Sequence, residues 1–514
     1  MDNKYLDIPA ELFEDAVDTE KISDKKFSTK PAGYFKDAFI RFRKNSSSVA
    51  AAIIILILLL YALVVPFFSH YNVSFRDGYY KQLLPKSTLF AWAGWDGCRV
   101  QNETQSGYDY LAAIGYEYGD SAVNDVRGTY HDVKGTPLYK LYVDSYEKVG
   151  FIYMDLSEAA YKDLQAYQNE TGIQVMYPIP ANYKNTYTSV TSAANLWYKL
   201  GDDSPATRGL AAEHDADGNP IFENNYLTSD NPTRGRYESI RLPEDTGGAD
   251  GNTWYTYAAK NQTGYRVRLL YKEYYKYQNG FYPYHLFGTN QHGQDIFSCL
   301  ANAGRLSLLL AISISFINFV LGIAYGSVEG YYGGAPDLIM QRIADILASV
   351  PFIVVATLFQ MHLAQKVGPV VCLLFAYVLT GWIGISNRVR SQFYRFKNQE
   401  YILAARTLGA RDRRLIFRHI LPNSLGTIIT STILIIPGVI FTESMLTYLG
   451  IVNLEVSGLT SIGTMLASGR QYLTTYPHIL LFPALYISLL EISFNLFGNG
   501  LRDAFNPSLR GADE

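Results

Sequence analysis

Cysteine is nearly absent from this chain: three residues in 514, Cys98, Cys299 and Cys372, none spaced as a metal-ligand pair. Cys98 has no second cysteine in its own polar region, so a disulfide framework is not expected there. Catalytic signatures are missing as well. The chain contains no G-x-x-x-x-G-K-[ST] phosphate cradle, no H-E-x-x-H, no G-x-S-x-G and no C-x-x-C pair. Any ATP used must therefore be bound by another chain, and no catalytic or metal-ligating residue is assigned. In AAEHDADGNP, the grouping of His214 with Glu213, Asp215 and Asp217 reads as a solvated acidic turn. The net charge of -3 excludes little, because the charges are segregated along the chain.

Long apolar runs are present instead. Residues 50–69 read AAAIIILILLLYALVVPFFS without a charge, about 20 residues, which matches a hydrocarbon core of about 30 Å. The run is too long and too far from the start for a cleaved leader. Lys25, Lys26, Lys30, Lys36, Arg41, Arg43 and Lys44 precede it, which places the N-terminus in the cytoplasm under the positive-inside rule. Five further stretches are long enough to span: Leu306 to Tyr325, Ile343 to Leu363, Pro369 to Ile385, Leu425 to Leu449 and Ile479 to Gly498. Six spans return the C-terminus to the cytoplasm. Arg388, Arg390, Arg395, Lys397, Arg406, Arg411, Arg413, Arg414 and Arg418 crowd the connection between the fourth and fifth, which the even count also places inside. Pro351, Pro437, Gly438 and Pro483 lie at or within spans, where a packed bundle tolerates them.

Residues 70–284 are polar and rich in Tyr, Asn, Asp, Gly and Thr. GFIYMDL, SEAAYKDLQAYQNETG and IQVMYPI read as strand, helix, strand, with Ser157 as N-cap, Ala160, Leu164 and Tyr167 on one helical face, and Gly172 as the stop. Tyr265 to Tyr275 reads as another strand. An external α+β domain is expected, its many tyrosines serving as core and strand residues more than as a binding surface.

The most informative segment is EYILAARTLGARDRRLIFRHILPN, Glu400 to Asn423. Ala404 and Ala405 supply small side chains, Gly409 permits a sharp turn at positive φ, a second helix begins at Arg413, and Pro422 breaks or redirects the chain. From these residues alone two readings are open: an amphipathic helix lying at the membrane surface, or a helix-turn-helix that presses into a cytosolic partner.

This segment resembles the EAA loop of ABC importer permeases, with Ala404, Ala405, Gly409, Leu421 and Pro422 on motif positions and Leu403 where the motif usually begins with Glu. HLFGTNQHGQDIFSCLANAGRLSLLLAIS, His285 to Ser313, is similar to the segment before the second span of dipeptide and oligopeptide permeases. Phe287, Gly288, Thr289, Gly293 and Asp295 are kept there, while Asn290 and Gln294 replace the customary Asp and Arg. GYYGGAPDLIMQRIADILASVP and LRDAFNPSLR resemble the family's third-span entry and C-terminal tail. The resemblance implies an all-α polytopic membrane domain of six transmembrane helices, the ABC type I importer permease fold, interrupted by the α+β extracellular insertion. The expected divisions are 1–49 cytoplasmic, 50–69 first span, 70–284 insertion, 285–500 permease core with its coupling loop at 388–424, and 501–514 tail. It also implies an ATPase-coupling site at Ala404, Ala405, Gly409, Ala410, Arg411, Asp412, Leu421 and Pro422.

Further implications of the resemblance are a second homologous permease, two cytosolic ATPase subunits that hold ATP and Mg, an extracellular solute-binding lipoprotein, a peptide cargo and a bacterial plasma membrane, with no nucleic acid involved. Nickel or a glycan as cargo stays open, as does a receptor or adhesin acting through the ectodomain. Charge within a span is costly, which makes Glu443 and Glu491, with the nearby Asn495, candidate pathway-lining residues or groups that pair across the bundle; for Glu443 a structural role at the helix bend is an equal reading.

Overall fold

A computed structural model describes residues 34–115, 118–177, 214–221, 259–260, 264–454 and 458–505. Lys25, Lys26 and Lys30, Glu213, and the tail after Phe505 lie outside the described residues. The chain enters through α1 (Tyr34–Lys44) and α2 (Ser46–Phe68). Asn45 caps α2 by accepting the Ser48 N–H, the local signal that starts a helix where the apolar run begins.

Between α2 and the helical bundle lies an α+β unit. Its first sheet is antiparallel in the order β1 (Cys98–Thr104), β3 (Pro137–Asp144), β2 (Val123–His131), with α3 (Gln105–Ala113) against it. Its second sheet centres on β7 (Tyr265–Leu270), paired antiparallel with β4 (Phe151–Leu156), β5 (Met176–Tyr177) and β6 (Ala259–Lys260). α4 (Glu158–Thr171) starts at Ser157, whose side chain accepts from the Ala160 N–H, and stops at Gly172 at φ 69°, as its sequence implies. Its Tyr161 and Leu164 are buried, and Gln168 turns inward to accept the Val175 and Met176 N–H groups at 2.7 and 2.6 Å. The stretch Tyr265 to Tyr275 is not one strand. It leaves the sheet at Leu270 and becomes α5 (Tyr271–Asn279), because Tyr271, Tyr274 and Tyr275 recur at helical spacing and bury one face.

Tyr80, Tyr146, Tyr161, Tyr271, Tyr274 and Tyr275 share one core with Leu83, Ile152, Leu164, Val267 and Leu269. Phenol rings thus build the interior that cysteines do not crosslink; Cys98, Cys299 and Cys372 are free. The Cys98 thiol is pushed up to about 12, first by burial and then by the nearby Asp144 and Asp96 carboxylates. Lys272 bonds Glu147 at 2.7 Å and Asp120 at 3.1 Å. Burial holds the Glu147 carboxyl above its usual range. Burial works against the Lys272 ammonium, but its two carboxylate partners prevail and raise it.

Among the described residues, five helical segments are long and apolar enough to cross a membrane: 46–68, 296–332, 369–396, 412–448 and 478–505. The sequence-expected third span, Ile343 to Leu363, is not a single helix. It divides into α7 (Gly334–Ala348) and α8 (Phe352–Val367), bent by 68°. Pro351 has no N–H to continue α7 and disfavours helix at Val350. If the pair counts as one span, the total is six. The fourth stretch comprises α9 (Pro369–Thr380) and α10 (Ile383–Phe396), and the fifth contains α13 (Leu421–Ile433) and α14 (Ile435–Tyr448). α15 (Ile462–Gly469) and α16 (His478–Phe505) complete the bundle, whose second long helix, α6, is Ile296–Tyr332.

Lipid tails are as apolar as leucine, so helix association here needs close backbone approach. α6 provides it with Gly322, Gly326 and Gly330, one per turn. A Cβ at Gly322 would lie 2.6 Å from Ile385 Cβ, one at Gly330 would lie 2.7 Å from Phe393 Cβ, and one at Gly326 would collide with the Ser386 carbonyl of α10.

The two units are joined by polar contacts. Arg99 of β1 donates to the Thr475 carbonyl at 3.0 Å and to the Tyr476 hydroxyl at 3.2 Å. The Thr289 hydroxyl donates to the Tyr80 carbonyl at 2.7 Å and accepts from the Leu83 N–H at 2.8 Å. Asp295 caps α6 through Ser298 and bonds His285 at 2.9 Å. Asn290 and Gln294 bond each other at 3.0 Å, a neutral pair where the resemblance leads one to look for an ionic one. Phe287 stacks on Phe482 with centroids 4.0 Å apart.

Candidate coupling surface and intramembrane carboxylates

α11 (Glu400–Thr407) ends in a tight turn at Gly409, φ 82°, where a side chain would be strained. The chain restarts as α12 (Asp412–Arg414), passes through a π turn over Leu415–Ile420 and enters α13. Ile402, Leu415, Ile416 and Ile420 are buried with Val389 and Phe393 of α10 and Tyr331 of α6 in one cluster, against which Ala405, Ala410 and Leu421 pack. The opposite face is exposed and partly apolar: Tyr401, Leu403, Ala404 and, most of all, Leu408, which is 88% exposed. Leu403, at the position where Glu is usual, adds apolar area to that face.

Pro422 does not break the helix. It occupies the first turn of α13, directly after the π turn, whose wider backbone spacing relieves the contact a proline ring would make with the preceding turn. The basic loop is also shorter than 388–424, since Arg388, Arg390 and Arg395 belong to α10.

Arg390 is no freely solvated topology charge. Its guanidinium grips Asp337 of α7 at 2.6 and 2.7 Å, and the Tyr394 hydroxyl donates to the same carboxylate at 2.6 Å. Such a bidentate bond fixes both position and angle. Ser386 donates to the buried Glu329 at 3.2 Å, and Lys397 donates to the Gly330 carbonyl at 3.0 Å. The Tyr331 hydroxyl donates to Asp412 at 2.5 Å and accepts from Arg406 at 3.4 Å. The turn around Gly409 is therefore clamped to the end of α6. Sequence reasoning gave Tyr331, Asp337 and Tyr394 no partner; the available signal for the first two was GYYGGAPD, which places two tyrosines and an aspartate beside a glycine pair.

Glu443 is 2% exposed on α14 and accepts from Ser307 of α6 at 3.0 Å and from Thr447 at 3.2 Å. Those hydroxyls tie it across the bundle. Glu491 is half-buried on α16, and Asn495, one turn on and exposed, donates to its backbone carbonyl at 2.9 Å. Glu443 makes no hydrogen bond to either of them among the described residues. Among the described residues, no cluster of His, Cys, Asp or Glu is placed to hold a metal ion. His214 leaves the acidic turn to bond the buried Asp109 at 2.8 Å, while Asp215 accepts the N–H groups of Asp217 and Asn219.

Residues 33–85 match the family model for the N-terminal TM domain of oligopeptide transport permease C, and residues 307–511 match that for the binding-protein-dependent transport system inner membrane component. The oligopeptide transport system permease protein OppC of Bacillus subtilis (strain 168) is 41% identical over 226 residues, covering 44% of this chain and 72% of that protein. The dipeptide transport system permease protein DppC of the same organism is 38% identical over 227 residues, covering 44% and 69%. This chain belongs to the oligopeptide and dipeptide permease family of ABC importers.

It is accordingly a non-catalytic permease subunit, a multi-pass protein of the bacterial plasma membrane. The stretch 86–306 falls outside both matched ranges. Among solved structures, the inward-facing MetNI methionine ABC transporter aligns with 40% of this chain and 96% of its own at 16% identity and a TM-score of 0.33.

Proposed function

We propose that this permease forms half of a peptide-translocating pathway, with a second homologous permease supplying the other half. The cargo reading rests on the relatives, oligopeptide and dipeptide permeases by name. Two cytosolic ATPase subunits hold ATP and Mg, and this chain holds neither. A lipid-anchored external binding protein delivers the peptide.

The observation that carries the coupling role is the turn at Leu408 and Gly409. An apolar side chain 88% exposed on a basic surface suits a partner's groove better than water, and the buried Ile402, Leu415 and Phe393 hold it against the bundle. Motion of the ATPases then reaches the spans through Ala404, Ala405, Gly409, Ala410, Arg411, Asp412, Leu421 and Pro422. α7 and α8 together make one broken span and bring the count to six, with both termini in the cytoplasm and the α+β unit outside, over the mouth of the pathway where the binding protein docks. Glu443 braces the bundle, and Glu491 with Asn495 faces the pathway.

Affinity purification in mild detergent, followed by mass spectrometry, tests the reading. Wild type should carry two ATPases and a second permease, whereas Gly409→Asp, which strains the turn and adds a charge, should lose the ATPases and keep the permease. Absence of any ATPase from wild type would refute the reading.

A further inference from the structure

A cavity of about 710 Å3 opens where the first residues of α6, the segment around Arg76 and the N-terminal end of α15 meet, within the size range of small-molecule sites. Arg76 and Arg305 line it, with Asn302 and Thr464 as hydrogen-bonding walls and Leu306 and Leu309 as an apolar floor. No aspartate or glutamate is among its lining residues that the structure describes. Arg305 donates to Asn302, one turn away on its own helix, at 3.0 Å and lies 5.9 Å from the Phe67 ring centroid, and no carboxylate among the described residues lies within ion-pairing distance of either guanidinium.

Two arginines without a carboxylate partner among the described residues are unexpected at this end of the bundle. With α2 entering from the cytoplasm, the end of α2 and the start of α6 are external, and the positive-inside bias disfavours cations there. Arg305 also sits one residue before the apolar run of α6, where an ionisable group is costly unless it has a task. A guanidinium presents a planar fork that matches a carboxylate.

We infer that this cavity is an entry subsite for the C-terminal carboxylate of the peptide, with Arg305 as the main anion contact and Arg76 as the outer one. The apolar floor accommodates the last side chain, and the amide of Asn302 orients Arg305. This rests on the peptide-import reading above and extends it to a contact made by the permease itself.

The test is uptake by the complete transporter in proteoliposomes, with its own binding protein, comparing trialanine with trialanine amide. Because one binding protein serves every variant, its own preference cancels when ratios are compared between permeases. Wild type should favour the free acid. Arg305→Gln should lower the acid-to-amide ratio roughly ten-fold, the scale of one lost charge-assisted hydrogen bond; Arg305→Lys should retain most of it, and the exposed Arg76→Gln should lower it less.

An unchanged ratio in Arg305→Gln and Arg76→Gln complexes that still import would overturn the subsite alone. If Arg305→Gln fails to assemble, Arg76→Gln decides. Wild type importing neither peptide would overturn the cargo reading together with the subsite. Should the Arg305 effect follow the phosphatidylglycerol content of the vesicles and ignore the peptide terminus, the cavity holds lipid and the inference fails.

Discussion

The Tyr331 hydroxyl, next to last in the 37-residue helix α6, donates to the Asp412 carboxylate at 2.5 Å across 81 residues of sequence. It fastens the start of the post-turn helix to the helix that Asp295 caps at its other end. Tyr331→Phe removes that bond and leaves the ring in place. A hydrogen bond to a charged group contributes about 1.5–3 kcal/mol, enough to loosen a surface turn without unfolding a bundle. Peptide imported per ATP hydrolysed should fall several-fold while ATPase subunits still co-purify; an unchanged ratio would remove Tyr331 from the coupling path.

Gly326→Leu should abolish the folded bundle, because its Cβ would meet the Ser386 carbonyl and backbone cannot yield as a side chain tip can. Gly384 has open space around it, so Gly384→Ala should be tolerated. Fluorescence-detected size exclusion in detergent distinguishes a monodisperse peak for the second from aggregate for the first.

The apolar stretches other than the third, the cap at Ser157 and the stop at Gly172 were legible because each is a local matter: an apolar length, an oxygen beside the first free N–H groups, a residue without Cβ. The helical face of α5 was equally local, and its tyrosines at strand-friendly positions concealed it. Partners distant in sequence were not legible. The glycines of GIAYGSVEG announce a close approach, but which helix arrives is settled only in space. Arg390 looked like one more inside charge, since Asp337 lies 53 residues away. At Pro422 a general rule about proline misled, because the preceding π turn is itself a product of how Leu415, Ile416 and Ile420 pack.

Lys272→Met should destabilise the α+β unit by about 3–5 kcal/mol, since it leaves Glu147 buried and unpaired. Glu147→Gln in the same chain should recover most of that loss. The pH dependence follows from the raised affinity of both groups for protons in the folded state. Stability then falls as pH rises through each group's own window: above the ordinary carboxylate value for Glu147, and above the ordinary lysine value for Lys272. Thermal unfolding of the full chain should decline as pH rises past the ordinary lysine value. The decline should vanish in the double variant.

Val133, at the tip of the β2–β3 hairpin, is fully exposed. Val133→Cys should react with a membrane-impermeant maleimide on intact cells, and Leu408→Cys only after permeabilisation. Background from Cys98 should be low, since a thiol with its pKa pushed up to about 12 is almost entirely protonated at neutral pH; Cys299 and Cys372 are buried. Labelling of Val133→Cys only after permeabilisation would invert the proposed topology.

At about 1.5 Å per residue, α6 is roughly 55 Å long, nearly twice the hydrocarbon thickness. One end is held by Asp295 and His285 beneath the α+β unit, the other by Asp412 at the basic turn. No proline interrupts it, and its glycine stripe is filled by α10. A rod without a hinge cannot absorb a push at one end. On the proposed topology, a binding protein settling on the α+β unit and an ATPase pulling on the basic turn would handle the same stick, and each would feel the other's load without any signal being relayed from residue to residue.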